Sequence, residues 1–480
     1  MIPSEIIEKK RDGKNLSQNE IKWFIEGLVN NRIDNSQLSA LLMAIYFRGM
    51  SDQEMFALVE SMVESGDKFD FSHLDFYIAD KHSTGGVGDK ISFILAPILS
   101  SMGIVIPMIA GRGLAFTGGT IDKLESIPNV QTLLSLNHFR KQIINIGCCI
   151  ASQSTEICPA DKTLYSIRDL TGTVPSLPLI CSSIMSKKIA EGLNGLVIDL
   201  KVGNGTFMKT ISDAKKLAEG LKKIGKAFNI TTDVIYTNMD QPLGKYAGLH
   251  CEIIEAIDCL NGKGPEDLME ISYELGSIIL LQSRTVEDKK TAIKLMQETI
   301  NNGTALDKFK EIISTQNGDI KKLASEHVIS KNEIIIEAED GGFISSIETE
   351  KIGWALVEIG CGRKVQKDKL DYTAGIEFIN KIGDKVNKGD PIFRIFGNDT
   401  KRLNNAKIML KKTYTLVKTE ILKDSFSLGS DVNPDSSTAN KRYYTLPSEI
   451  ITIREVYLND VRIPRLTGKP IIDDTTTEEM

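Results

Sequence analysis

Two glycine-rich turns carry the densest set of chemically useful side chains in the chain. The first reads Lys81-His82-Ser83-Thr84-Gly85-Gly86-Val87-Gly88-Asp89-Lys90, and the second Gly111-Arg112-Gly113-Leu114-Ala115-Phe116-Thr117-Gly118-Gly119-Thr120. Each follows a strand-like apolar run, Phe76-Tyr77-Ile78-Ala79 and Ile104-Val105-Ile106-Pro107-Met108-Ile109, and each leads into a helix-like pattern. A strand, a glycine turn and a helix start bring unpaired backbone N–H groups and the positive end of the helix dipole to one place, which is an anion site. Glycine lets the backbone close on the ligand, and lysine, serine and threonine add donors. The chemistry implied is the handling of phosphate.

The elements that must position these turns follow from periodicity. Residues 1 to 66 read as helices, with Ser17-Gln18-Asn19-Glu20 and Ser51-Asp52-Gln53-Glu54 as capping boxes and Asp34-Asn35-Ser36 as a further cap. Strand-like and helix-like segments then alternate, with a polar segment at 159–173, a helix at 181–192 and a buried strand at 195–202 that ends in a third glycine turn, Gly203-Asn204-Gly205. Such alternation implies a mainly parallel sheet covered by helices, with ligands at the carboxyl ends of the strands, where all three glycine turns fall. From about residue 332 short strands rich in isoleucine, valine and glycine appear. The expected fold class is α/β in several domains: a small all-α domain (1–66 with 160–193), a large α/β domain (67–159 with 194–331), a β-rich C-terminal α+β domain (332–424) and an extension (425–480). The turn Val386-Asn387-Lys388-Gly389-Asp390-Pro391 has the look of a biotinyl/lipoyl-like sandwich, but no Met-Lys-Met or Asp-Lys-Ala tip accompanies it, so the domain reads as structural.

Composition sets the outer bounds. The chain has 480 residues, 41% hydrophobic and 25% charged, with a net charge of −6, which argues against non-specific nucleic-acid binding. Its seven cysteines include no C-x-x-C pair, so reduced thiols in a cytoplasmic protein are expected rather than a disulfide framework. No metal-ligand cluster is evident. The start, MIPSEIIEKKRDGKN, is charged and lacks the apolar core of a secretion signal. The uncharged run 91–111 approaches the length of a membrane span. Pro97, Pro107, Gly103 and three serines interrupt it, and a buried helix followed by a buried strand accounts for it.

Several long motifs, in order, resemble the thymidine and pyrimidine-nucleoside phosphorylases. These are DKHSTGGVGDKIS, GRGL followed by TGGTIDKLES, LYSIRDLTGTV (164–174), SSIMSKKIAEGL (182–193), DLKVGNGTFMKT (199–210), Asp240-Gln241-Pro242-Leu243-Gly244 and AGIEFINKIGDKVNKGDPIF (374–393). The likeness spans roughly residues 1–420. It implies phosphorolysis of thymidine, or of deoxyuridine or uridine, to the free base and an α-(deoxy)ribose 1-phosphate. It also implies a homodimer joined through the N-terminal helices and no cofactor, inorganic phosphate being a co-substrate.

The same resemblance assigns roles. Lys81, Ser83, Ser92 and Thr120 would hold phosphate; singly, Lys81 would be a surface lysine and Ser92 an unremarkable helix serine. Arg168, Ser183 and Lys187 would hold the base, the last two one helical turn apart on one face. Arg168 offers a planar fork to a carbonyl edge, while Lys188 reads as an ordinary surface lysine. His82 would serve as proton donor or electrostatic helper at the base O2, its ordinary pKa suiting transfer near neutrality; the other four histidines have no motif. Leu114, Tyr165, Val174, Ile180 and Phe207 would wall the base pocket. His82, Lys187 and Arg168 are thus the expected catalytic set.

The chain departs from the family pattern at Ala110, where a serine is usual, at Ala115-Phe116, where Gly-His is usual, and at Pro175, where an acid is common. Two other readings compete: an anthranilate-phosphoribosyltransferase-like enzyme, which shares the glycine-rich phosphate loop, and a nucleoside- or phosphate-binding relative that has lost turnover.

Overall fold

In the computed structural model, the described residues are 1–73, 75–113, 115–325, 330, 332–365 and 367–418, with the backbones of three later strands, Ser427–Ser430, Val456–Leu458 and Val461–Ile463. Burial at every position of the run 195–202 demands a strand covered on both faces. That strand pairs on either side within a parallel sheet. In chain order the sheet's strands are β1 (Ala79–Ser83), β2 (Ile106–Ala110), β3 (Cys148–Ser152), β4 (Gly195–Val202) and β5 (Thr231–Asn238). β4 lies between β1 and β5, β2 pairs with β3, and a single parallel bridge from Ile78 to Val105 joins the two groups. Side chains alternate across the sheet. Val197 and Ile235 pack into a cluster with Phe93, Ile253, Leu275, Met296 and Phe309. Ile198, Val234 and Tyr236 pack into another with Met185, Leu217 and Leu221 on the opposite face.

The N-terminal helices Pro3–Arg11, Gln18–Val29, Asn35–Arg48 and Asp52–Glu64 form a separate cluster, into which Ala160, Leu164, Ile167 and Leu179 insert. Capping boxes at Ser17/Glu20, Asp34/Gln37 and Ser51/Glu54 start three of the helices. Beyond residue 332 a fourth cluster is built on Pro391–Phe396, Gly375–Phe378 and Glu333–Glu337, all antiparallel, with the helices Thr349–Ile359 and Thr400–Leu410. Its sheet takes one strand, Tyr246–Gly248, from far earlier in the chain. The extension contributes Ser427–Ser430, which pairs antiparallel with β5.

One expectation differs from what is found, and one segment is defined further. The first strand does not run through 76–79: Phe76 lies in a bend, 59% exposed, and the strand begins at Ala79 and runs on through Lys81, His82 and Ser83. The long partner β4 draws it onward, with Lys81 opposite Val197, His82 opposite Ile198 and Ser83 opposite Asp199. The polar segment 159–173 is a helix, Pro159–Thr171, with Pro at its first turn, left-handed Gly172 at its end, and Ala160, Leu164 and Ile167 inward. The run 91–111 divides as expected into the helix Ile91–Ser101 and β2. Among the described residues no helix is long and apolar enough to cross a membrane.

Candidate active site

The carboxyl end of β1 delivers Lys81, His82 and Ser83 as consecutive strand residues, so Lys81 and Ser83 share one face and His82 takes the other. The glycine turn then bends sharply. Gly88 has a left-handed φ of 80°, and a Cβ there would fall 2.3 Å from the Leu243 carbonyl oxygen, so only glycine fits. The turn ends at Asp89, which accepts from the Ile91 N–H at 3.2 Å, and Ser92, 8% exposed, occupies the first turn of the helix that follows. Thr120 starts the short helix Thr120–Leu124 after the second turn. The two turns meet: a Cβ on Gly85 would lie 3.6 Å from the Thr117 side chain, and Lys123 Nζ donates to the Asp89 carbonyl at 2.7 Å.

Charge on this side is balanced. Lys81 Nζ lies 3.4 Å from Asp89 Oδ2 and 4.0 Å from Asp199 Oδ2. These separations exceed the ~2.7–2.9 Å of a good charge-assisted bond. Lys201 is tighter on Asp199, at 2.8 Å, and Lys123 pairs with Glu252 at 2.6 Å. Burial would raise the Asp89 pKa, but Lys201, Lys81, Ser83 and Lys123 outweigh it and hold the carboxyl well below its usual range. Lys90, fully buried at the turn's end, donates to the Leu243 and Tyr246 carbonyls and pairs with Glu255, pinning the turn to the segment 243–246.

On the other side, the helices Pro159–Thr171 and Leu177–Ala190 bring Arg168, Ser183 and Lys187 together around Asp161. Lys187 bonds Asp161, the Ser183 carbonyl and, at 3.1 Å, the Ser183 hydroxyl. Arg168, 2% exposed, donates to the Leu179 carbonyl at 3.0 Å and the Val174 carbonyl at 2.8 Å. Its Nε is buried with no hydrogen-bond partner among the described residues, which leaves one donor of the guanidinium uncommitted to the protein. Burial lowers the guanidinium's pKa, with Asp161 opposing. Tyr165 lies under Arg168, 5.8 Å from guanidinium carbon to ring centroid. Tyr165 and Phe207 are 36% and 37% exposed, Val174 and Ile180 are partly buried, and Leu114 lies outside the described residues.

His82 stands between the two sides. Its ring is half-buried, and burial together with Lys188, Lys187 and Lys81 holds its pKa well below the ordinary value, Asp89 opposing only in part.

The reading of Lys188 as a surface lysine is corrected. It is 2% exposed and pairs with Asp80 and, at 2.8 Å, with Glu191. Burial outweighs Lys188 and pushes the Glu191 carboxyl well above its usual range. Asp80 precedes Lys81 and Lys188 follows Lys187, so this buried pair locks the backbone of the glycine-turn side to that of the Arg168–Lys187 side. Sequence reading missed Asp161, Asp89, Asp199 and Lys201. Asp89, Asp199 and Lys201 lay within quoted motifs without being singled out; Asp161 lay outside them and signals nothing until the fold pairs it.

Comparison with known proteins identifies the family. Residues 76–306 match the family described as "Glycosyl transferase family, a/b domain", and residues 4–66 match "Glycosyl transferase family, helical bundle domain". Residues 343–417 match "Pyrimidine nucleoside phosphorylase C-terminal domain". The pyrimidine-nucleoside phosphorylase of Staphylococcus haemolyticus is 44% identical over 396 residues, 82% of this chain and 92% of that protein. Its namesake in Staphylococcus epidermidis is 41% identical over 414 residues, covering 86% and 95%. Among solved structures, anthranilate phosphoribosyltransferase from Thermus thermophilus superposes with a TM-score of 0.53 at 16% identity, over 65% of this chain and 99% of that one, a likeness of fold alone.

Proposed function

This chain belongs to the pyrimidine-nucleoside phosphorylase family, and from that premise we propose that it cleaves thymidine, with deoxyuridine and uridine as competing substrates, using inorganic phosphate. The products are the free pyrimidine and 2-deoxy-α-ribose (or α-ribose) 1-phosphate, a pentosyl transfer that serves pyrimidine salvage and nucleoside catabolism. Phosphate, held by Lys81, Ser83, Ser92 and Thr120, attacks C1′ on the face opposite the base. A C–O bond to phosphate forms as the C–N bond breaks, and the bonding pair leaves on the pyrimidine. Charge developing over O2, N3 and O4 is met by Arg168, Ser183 and Lys187, where fixed donors lower the barrier most. Leu114, Tyr165, Val174, Ile180 and Phe207 wall the base.

The observation that carries this reading is the position of His82. It sits on β1 between Lys81 and Ser83, and the buried Lys188–Asp80 ion pair, which joins the chain neighbours of Lys187 and Lys81, brings the helix of Lys187 against that strand. One residue therefore spans both halves of the reaction. A pKa held down by burial and the nearby lysines favours the helper role over the proton-donor role, in which the ring gives a hydrogen bond from N–H to the base O2 without surrendering the proton. No step requires a cofactor.

The protein acts as a homodimer through its N-terminal helices, a reading supported by Met43, Tyr46 and Phe47, which are 37%, 40% and 76% exposed on the helix Asn35–Arg48. Seven buried free cysteines fit a reducing cytoplasm. The test is base release from thymidine, deoxyuridine and uridine, each with and without inorganic phosphate. Phosphate-dependent release supports the proposal. Nucleoside binding with no phosphate-dependent release would mean a relative that has lost turnover.

A further inference from the structure

Three cleft segments converge on one part of the C-terminal domain. Phe116 of the second glycine turn is 6% exposed, and its ring centroid lies 5.9 Å from that of Phe207 and 6.0 Å from that of Trp354. Phe207 follows the third glycine turn, and Trp354 lies on the helix Thr349–Ile359. The helix comes this close because residue 353 is glycine: a Cβ there would fall 2.6 Å from the Phe116 carbonyl oxygen. Ala115 is held at a left-handed φ of 52°, a conformation that residues with a Cβ adopt only at a cost. The burial of Phe116 beside Val87 of the first turn and Ile352 and Leu356 of the helix offsets that cost.

The third turn is tied to the same helix start. Asn204 Nδ2 donates to the Ile347 carbonyl at 2.9 Å, the Thr349 N–H donates to Asn204 Oδ1 at 2.6 Å, and Lys209 pairs with Glu350 at 2.7 Å. A charged grip completes the attachment: Asp122 accepts from the Gly113 N–H at 2.8 Å and from Arg363 of the C-terminal domain at 2.9 Å.

We infer that the C-terminal domain positions the phosphate side of the cleft through a Phe116–Phe207–Trp354 aromatic bridge, with Phe116 and Trp354 as positioning residues. The inference rests on the placement of phosphate at the glycine turns. Thr120 follows Phe116 by one short turn of chain, so a shift of the ring moves a phosphate donor, and ordering of the turn by phosphate is felt at Trp354.

Trp354 supplies the test, because the chain has two tryptophans and Trp23 lies in the N-terminal bundle. In a Trp23→Phe protein the emission of Trp354 is expected to change on addition of inorganic phosphate, saturating at the concentration that saturates turnover. Trp354→Leu should raise the phosphate KM about tenfold or more while the nucleoside KM hardly moves, as expected for a misplaced donor. Trp354→Phe should restore it. Active phosphorolysis with a silent Trp354, or with an unchanged phosphate KM in Trp354→Leu, overturns the inference and leaves the functional reading standing. Should Trp354→Leu fail to fold, the fluorescence of the Trp23→Phe protein decides. A Trp23→Phe protein that binds no phosphate and shows no phosphate-dependent turnover overturns both.

Discussion

On the proposed phosphate side of the cleft, Lys81, Lys123 and Lys201 face Asp89, Asp199 and Glu252; on the proposed base side, Lys187 pairs with Asp161, whose charge also reaches Arg168. Three cations against three carboxylates leave no net charge, whereas two against one leave an excess of one positive charge. The two substrates explain the difference. A phosphate dianion must be bound and then react, and a bare cluster of lysines would hold it too firmly in the ground state. Backbone N–H groups at helix starts and a loosely paired Lys81 give attraction without that trap. The pyrimidine arrives neutral and leaves as an anion, so a standing positive charge at its edge acts where charge develops.

The largest effects should come from breaking each side separately. Lys81→Met and Arg168→Met should each lower kcat/KM by about 10²–10³, the usual cost of one preorganised donor. With both substrates varied in turn, the Lys81 defect should fall on the phosphate dependence and the Arg168 defect on the nucleoside dependence. Equal defects on both would erase the division of labour.

The next comparison is between neighbours. Lys188→Met leaves Asp80 and Glu191 buried without their cation and should cost about 3–5 kcal/mol of folding stability, read from chemical denaturation. Lys187→Met strands one buried carboxylate, Asp161, rather than two, and Lys187 itself is 20% exposed, so it should cost less stability than Lys188→Met, and most of its effect should be on turnover. A reversal of the two would mean that the adjacent lysines have been assigned the wrong way round.

A pH series separates the cleft histidine from a buried one. His82 and His250 both have lowered pKa values, His250 down to about 4 through burial, with a bond to the Ser126 carbonyl opposing. The unfolded chain takes up a proton at about 6.5 that the folded chain refuses. Stability is therefore full above that pH and is lost as pH falls toward the folded values. His250→Gln should flatten the loss of Tm between about pH 6.5 and 4 without touching the phosphate dependence. His82→Gln should flatten it too, and should also slow turnover. An unchanged Tm slope in both would exclude this account of acid sensitivity.

The smallest effect expected is a gain. Ala110→Ser adds a hydroxyl at the carboxyl end of β2, on the phosphate side, and should improve phosphate KM by about tenfold or less, the net worth of one hydrogen bond. No effect on phosphate KM would show that the side is already saturated with donors.

Much of the phosphate side was legible in the sequence because local chemistry writes it: glycine turns, helix starts and adjacent Lys81, His82 and Ser83 need no distant partner. The parallel sheet and the capped N-terminal helices were legible for the same reason. What stayed hidden depends on residues far apart in the chain. Asp161 meets Lys187 across 26 positions and Asp80 meets Lys188 across 108, so Lys188 looked like any surface lysine. The start of β1 was missed because pairing with β4, rather than apolar content, decides where the strand lies. Phe116 stood out only as a departure from the family pattern; its partner Phe207 lies some ninety positions on in the same domain, and Trp354 comes from the C-terminal domain.

The central claim is that phosphate attacks from the glycine turns while the base departs toward Arg168, Ser183 and Lys187. Its most direct test is to count products from thymidine and from uridine, with phosphate present and absent. The account predicts one α-configured sugar 1-phosphate for each base released, and no release without phosphate. Base release by water alone, or sugar phosphate of the opposite anomeric configuration, would contradict it.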